Sequence, residues 1–132
     1  MIILKILKIK FVEFSFGALG YGILELLWRG RTHWSMLIAG GLSFLGLGKV
    51  SKKTKNSGLL KIALLGSAVI TSIELIFGII FNVILKKNVW DYSKLPFNLG
   101  GQVCARYSVL WGLLSILIVP IAAKIDKFLQ KE

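Results

Sequence analysis

Glu25, Glu74, Asp91, Arg29, Arg31 and His33 are the residues of this chain whose types could do chemistry, and their surroundings are otherwise apolar. In "ELLWRGRTHWSM" (25–36), Glu25 and Arg29 stand four apart, the spacing at which an acid and a base meet on one helix face. Arg31 and His33 follow directly. A guanidinium recognises a carboxylate or a phosphate bidentately, and a lone imidazole titrates near neutrality and can relay a proton. Glu74 falls near the middle of a long apolar block, where an ionisable side chain costs about 2.5–3.5 kcal/mol on insertion scales and is expected to face protein or water. Steps of three and four put Thr71, Gly78 and Asn82 on about the same face, a polar stripe from mid-block to its end.

These groups do not select a known catalytic or metal set. One histidine and three carboxylates, with no CxxC or Cys/His ligand pattern, make a weak metal signal, so no metal and no cofactor are expected. A Ser-His-Asp combination can be composed from Ser35 or Ser93 with His33 and Asp91, but nothing in the spacing picks it out. GxSxG, P-loop and GxGxxG patterns are absent. The plainer alternatives are structural: Glu74 as a hydrogen-bonded helix adhesive, Glu25 with Arg29 as a partly wet pair, His33 as an interfacial donor. Cys104 is the single cysteine, which rules out an intrachain disulfide and is expected to be a buried, inert thiol.

The elements that must position these residues are membrane helices. The chain has 132 residues, 55% hydrophobic and 17% charged, with the apolar residues in long blocks. Four transmembrane spans are expected, at about 11–28, 34–49, 59–85 and 103–123, forming an all-α bundle in a single domain over 1–132. The net charge of +11 comes from basic residues lying between these blocks, which suits lipid headgroups and not nucleic acid. The N-terminus, the second connection and the C-terminus hold eleven Lys residues, and the first and third connections with their flanks hold six Lys and Arg. That bias puts both termini in the cytoplasm. "MIILKILKIK" lacks the order of a secretory signal and is expected to be retained. Gly17, Gly20 and Gly22 in the first span, Ala39, Gly40 and Gly41 in the second, and Gly66 and Gly78 in the third allow close helix packing. Cys104, Ser108, Trp111 and Ser115 form a narrow arc on the fourth, read chiefly as a packing face.

The third connection reads as a structured outer cap. In "WDYSKLPFNLGGQ" (90–102), Asp91 and Ser93 are turn formers, Pro96 fixes its own φ, and Gly100-Gly101 permits a sharp turn into the fourth helix. Trp90, Tyr92 and Phe97 suit the interface, as do Trp28 and Trp34. Asp91 is then expected to pair with Arg29, Arg31 or Arg106, with Asn98 and Gln102 near the mouth.

On "ELLWRGRTHWSM" (25–36), Gly40-Gly41, Glu74 followed by Asn82, "NVWDYSKLPFNLGGQVC" (88–104) and "SVLWG" (108–112), the chain resembles a family of small bacterial membrane proteins, the CmpB-like or ABC-transporter type IV permeases. It departs from relatives with a longer "RGFLxGP" first connection. The resemblance implies a multi-pass protein of the bacterial cell membrane and a role in transport. The chain carries no nucleotide-binding motif, so ATP-driven transport would need a separate ATPase subunit. The expected function is a permease component with an outward-facing pocket walled by Glu25, Arg29, Arg31, His33, Asp91, Asn98 and Gln102 and floored by Glu74. It would bind a small polar or amphiphilic molecule or a lipid headgroup, zwitterionic or anionic, with the arginines taking the anion. Four short spans leave little room for a private conduit, which favours a homodimer or a partner membrane protein. Two alternatives are an intramembrane enzyme acting on a lipid or lipid-linked group, and a structural or regulatory accessory subunit.

Overall fold

In the computed structural model, which describes residues 1–131, four helices carry most of the chain. They are α1 (Ile2–Arg29), α2 (Trp34–Lys53), α3 (Leu59–Phe77), which continues as a π-helical turn over Gly78–Ile84, and α4 (Ala105–Gln130). Two short strands, β1 (Asn98–Leu99) and β2 (Val103–Cys104), pair antiparallel in the third connection. Three of these helices are long and apolar enough to cross a membrane: α2, α3 with its π continuation, and α4. The fourth, α1, carries Lys5, Lys8, Lys10, Glu13, Glu25 and Arg29 along its length.

The helices run past the expected apolar limits because Lys, Ile, Leu and Gln at their ends are all tolerated in a helix. Thus α1 starts at Ile2 and not near 11, and α4 persists to Gln130 and not 123. Both chain ends lie together, since the Lys5 Nζ donates to the Gln130 carbonyl oxygen at 3.0 Å. The opposite end of the bundle holds the first and third connections.

Small residues set the helix crossings, as membrane packing requires. A methyl group added to Gly17 of α1 would sit 2.6 Å from the Gly40 carbonyl oxygen of α2, so these two backbones are in direct contact. At Gly66 of α3 the same atom would collide with Ser115 of α4. The two polar arcs expected on α3 and α4 face one another. Ser67 donates to the Ser108 carbonyl at 2.7 Å, and Thr71 shares a 2.9 Å hydrogen bond with the Ser108 hydroxyl. Leu47, Val50, Ile62 and Val119 fill an apolar core near the termini, and Met36, Phe81, Val89 and Trp90 fill another at the connection end. By contrast α1 leans on α2 and meets α4 only sparsely.

The π turn marks where α3 gives way to the connection. Leu85 N–H reaches back to the Ile80 carbonyl at 2.9 Å, the wide spacing that aims Asn82 into the connection. Lys86 and Asn88, at φ 54° and 50°, then reverse the chain. Gly100 and Gly101 have φ 60° and 76°, and they make the turn between β1 and β2 and not a kink at the start of α4.

Candidate functional site

Glu25 and Glu74, two of the three buried glutamates, have different partners. Glu25, in the last turn of α1, is held by Arg29 through Nε–Oε2 at 2.8 Å and Nη2–Oε1 at 3.0 Å. This is the i,i+4 pair anticipated from spacing, with one hydrogen bond, from Nη2, and Nε at ion-pair distance. The remaining Arg29 nitrogen, Nη1, donates to the Val89 carbonyl at 2.9 Å and ties α1 to the third connection. Among the described residues, Glu74 has no such cation. Its Oε2 is bonded to the Tyr92 hydroxyl at 2.8 Å and its Oε1 accepts from the Trp111 indole at 3.3 Å. With a fractional exposure of 6%, it is as secluded as Glu25.

Around Glu74 stands a continuous aromatic cluster drawn from three parts of the chain. Tyr21 of α1 meets Trp111 of α4 edge-on, with ring centroids 6.2 Å apart. Trp111 neighbours Tyr107 at 6.1 Å, Tyr107 stacks on Tyr92 at 4.8 Å and 15°, and Tyr92 neighbours Trp90 at 6.4 Å. Tyr107 and Trp111 are brought together by their i,i+4 spacing on α4. The third connection supplies Trp90 and Tyr92 only because it is firmly folded.

Asn82 and Gln102 do that folding. Asn82 Oδ1 accepts from the Val89 N–H at 2.7 Å and its Nδ2 donates to Gln102 Oε1 at 2.9 Å. Gln102 Nε2 donates to the Gly100 carbonyl at 2.8 Å, and the Gln102 carbonyl receives the Trp90 indole N–H at 2.9 Å. Asn98 braces the hairpin, donating to the Leu95 carbonyl and accepting from the Gly101 N–H, both at 2.9 Å.

Two adjoining cavities follow from the sparse contact between α1 and α4. One, of about 320 Å³, reaches Glu74 past Tyr21, Trp90 and Trp111. The other, of about 350 Å³, adjoins Glu25 and Arg29. Tyr21, Leu24, Met36, Trp90, Trp111 and Leu114 line both, so the two are parts of one cleft. Its walls are aromatic and aliphatic, in the size and character of a small-molecule site.

Of the eight residues expected to share a pocket, only Glu25, Arg29 and Glu74 border this cleft. His33 instead caps α2: its Nδ1 accepts from the Ser35 N–H at 3.2 Å and lies 2.6 Å from the Ser35 hydroxyl, while its ring packs against Trp34 and Phe81. Arg31 is exposed. Asn98 and Gln102 are consumed in the hairpin. Asp91 pairs with none of Arg29, Arg31 or Arg106; it is exposed and accepts from the Ser93 N–H at 2.9 Å, a local turn bond that lowers its carboxyl below the usual 3.8. Proximity in sequence favours the Asx turn, and Arg29 has already been taken by Glu25. Among the described residues, no group of three or more His, Cys, Asp or Glu side chains is placed to hold a metal ion.

Residue type and spacing do not single out Tyr21 or Tyr107, and they mark Trp111 only as part of a packing face. Their signal was nonetheless present: Tyr21 is one turn before Glu25, and Tyr107 lies one turn before Trp111 on the polar arc of α4.

Residues 11–131 match the family described as "Putative ABC-transporter type IV", and the chain belongs to that family. With three apolar spanning helices, it is a multi-pass membrane protein of an ABC-transporter-related family. No curated protein and no solved structure matches it.

Proposed function

We propose that the protein is the membrane component of a transporter and binds an amphiphilic small molecule in the cleft between α1 and α4. The observation that carries this reading is the cleft itself: two joined cavities with aromatic walls, a buried carboxylate at one and an ion pair at the other. In this reading α1 crosses the bilayer as a fourth span. Its exposed Phe11, Phe16, Leu19, Ile23 and Leu27 offer lipid an apolar surface, while its lysines gather near the chain ends. The eleven-to-six bias places the termini in the cytoplasm and makes the third connection an outer cap. The membrane is then the inner or plasma membrane of a bacterium. The loose α1–α4 seam faces the bilayer, so the ligand reaches the cleft sideways from lipid. Energy from ATP would come through a separate ATPase subunit, and a second copy or another membrane protein would complete the conduit.

Native mass spectrometry of the protein in lipid nanodiscs tests the reading. A discrete bound amphiphile is expected on the wild type and on Arg31→Ala, whose side chain lies away from the cleft. It should be lost from Leu114→Trp, in which an indole fills the space shared by both cavities. An empty wild type, or equal loading of Leu114→Trp, would sink the reading. A second reading, an accessory subunit without a ligand, is favoured by the way Asn82, Asn98 and Gln102 spend their hydrogen bonds on the connection. The empty wild type is the result it expects.

A further inference from the structure

We infer that the ligand of this cleft is an organic cation on an apolar chain, a quaternary or protonated ammonium whose charge docks beside Glu74. The inference rests on the amphiphile reading above and adds the sign of the headgroup. Its grounds are the partners that Glu74 has and those it lacks. Among the described residues, no basic side chain bonds Glu74, whose two oxygens meet only the Tyr92 hydroxyl and the Trp111 indole. The indole N–H can only donate, so Oε1 is held as an acceptor. A secluded carboxyl with neutral donors alone ionises only at a cost, and a positive charge brought from outside offsets that cost.

The neighbourhood specifies what kind of cation. Tyr21, Trp90 and Trp111 border the same cavity as Glu74, with Tyr92 and Tyr107 completing the cluster. Aromatic faces attract a soft, weakly hydrated ammonium, and quaternary ammonium groups are recognised in this way. A hard inorganic cation needs about six oxygen ligands, and the side chains bordering this cavity offer the Glu74 carboxyl, the Tyr21 phenol and the Ser43 hydroxyl. An anion is disfavoured, because Arg29 already spends its fork on Glu25 and the Val89 carbonyl. The aliphatic part of the cleft, from Leu24 to Leu114 and Ile118, suits the ligand's chain.

Such an ammonium could belong to a free lipophilic cation or to a zwitterionic lipid headgroup, and the test separates them. The protein in nanodiscs is titrated, below micellar concentrations, with decyltrimethylammonium, decylphosphocholine and decyl glucoside, and binding is read by native mass spectrometry. At least one of the two ammonium ligands is expected to bind about tenfold or more tightly than the glucoside. Preference for the first identifies a free cation, and preference for the second a headgroup. Glu74→Gln should abolish that preference while leaving the glucoside's affinity unchanged. The amide oxygen keeps the Trp111 bond, so this variant retains its fold. Tyr21→Phe should preserve the preference and Tyr21→Leu should reduce it several-fold. If all three ligands bind alike, and Leu114→Trp still excludes them, the cation assignment fails while the amphiphile cleft stands. If none binds, both fail. A preference that survives Glu74→Gln also overturns the assignment.

Discussion

Glu25 and Glu74 are equally buried, yet one was given its counter-charge by its own helix and the other was not. Around Glu25 the solution is local: Arg29 follows one turn later, closes the ion pair with a hydrogen bond from Nη2 and has Nη1 left to bind the connection. Around Glu74 the nearest bonded groups come from residues 18 and 37 positions away, and both are neutral. The first arrangement is self-sufficient and serves as a fastener. The second leaves a buried carboxyl without a counter-charge beside a cavity, so Glu74 and not the arginines is open to an incoming group.

The comparison breaks most visibly at the fastener. Arg29→Met should destabilise the protein by about 3 kcal/mol, since it strands the buried Glu25 carboxylate. Thermal unfolding in a mild detergent measures this, and adding Glu25→Gln should recover most of the loss. If the double variant is no better than the single, Arg29 acts through Val89 alone. Next in size is Asn82→Ala, which removes the acceptor of the Val89 N–H and the donor to Gln102. A cost of about 2 kcal/mol is expected, with Trp90 fluorescence reporting a loosened connection. Glu74→Gln should change stability by about 1 kcal/mol or less, because its partners are neutral and an amide can still serve them. A loss as large as that of Arg29→Met would make Glu74 a fastener too.

Smallest of all is Asp91. The Ser93 N–H holds its carboxyl below 3.8, so its contribution is present above that pH and fades as the pH falls through the depressed folded-state value. Melting curves of wild type and Asp91→Asn should therefore separate slightly above pH 3.8 and converge below it. A separation comparable to that of Asn82→Ala would mean that Asp91 is engaged beyond its own turn.

The sequence alone announced the all-α membrane fold, the Glu25–Arg29 pair, the α3 stripe through Thr71, Glu74 and Asn82, and the α4 arc through Ser108, Trp111 and Ser115. Each is a property of helical periodicity or of long apolar blocks, and both survive in one dimension. The same reading misplaced His33 and Asp91. Each is satisfied by a neighbour two residues away, Ser35 or Ser93, and short-range turn bonds compete well with any distant ion pair. Only the tertiary structure decided that Tyr21, Trp90, Tyr92, Tyr107 and Trp111 converge on Glu74 and that α1 stands loosely against α4. Those outcomes depend on where Gly17 lets α1 cross α2, where Gly66 lets α3 meet α4, and how the π turn aims Asn82. Backbone close approach and side-chain convergence between separate helices have no period for a sequence to display.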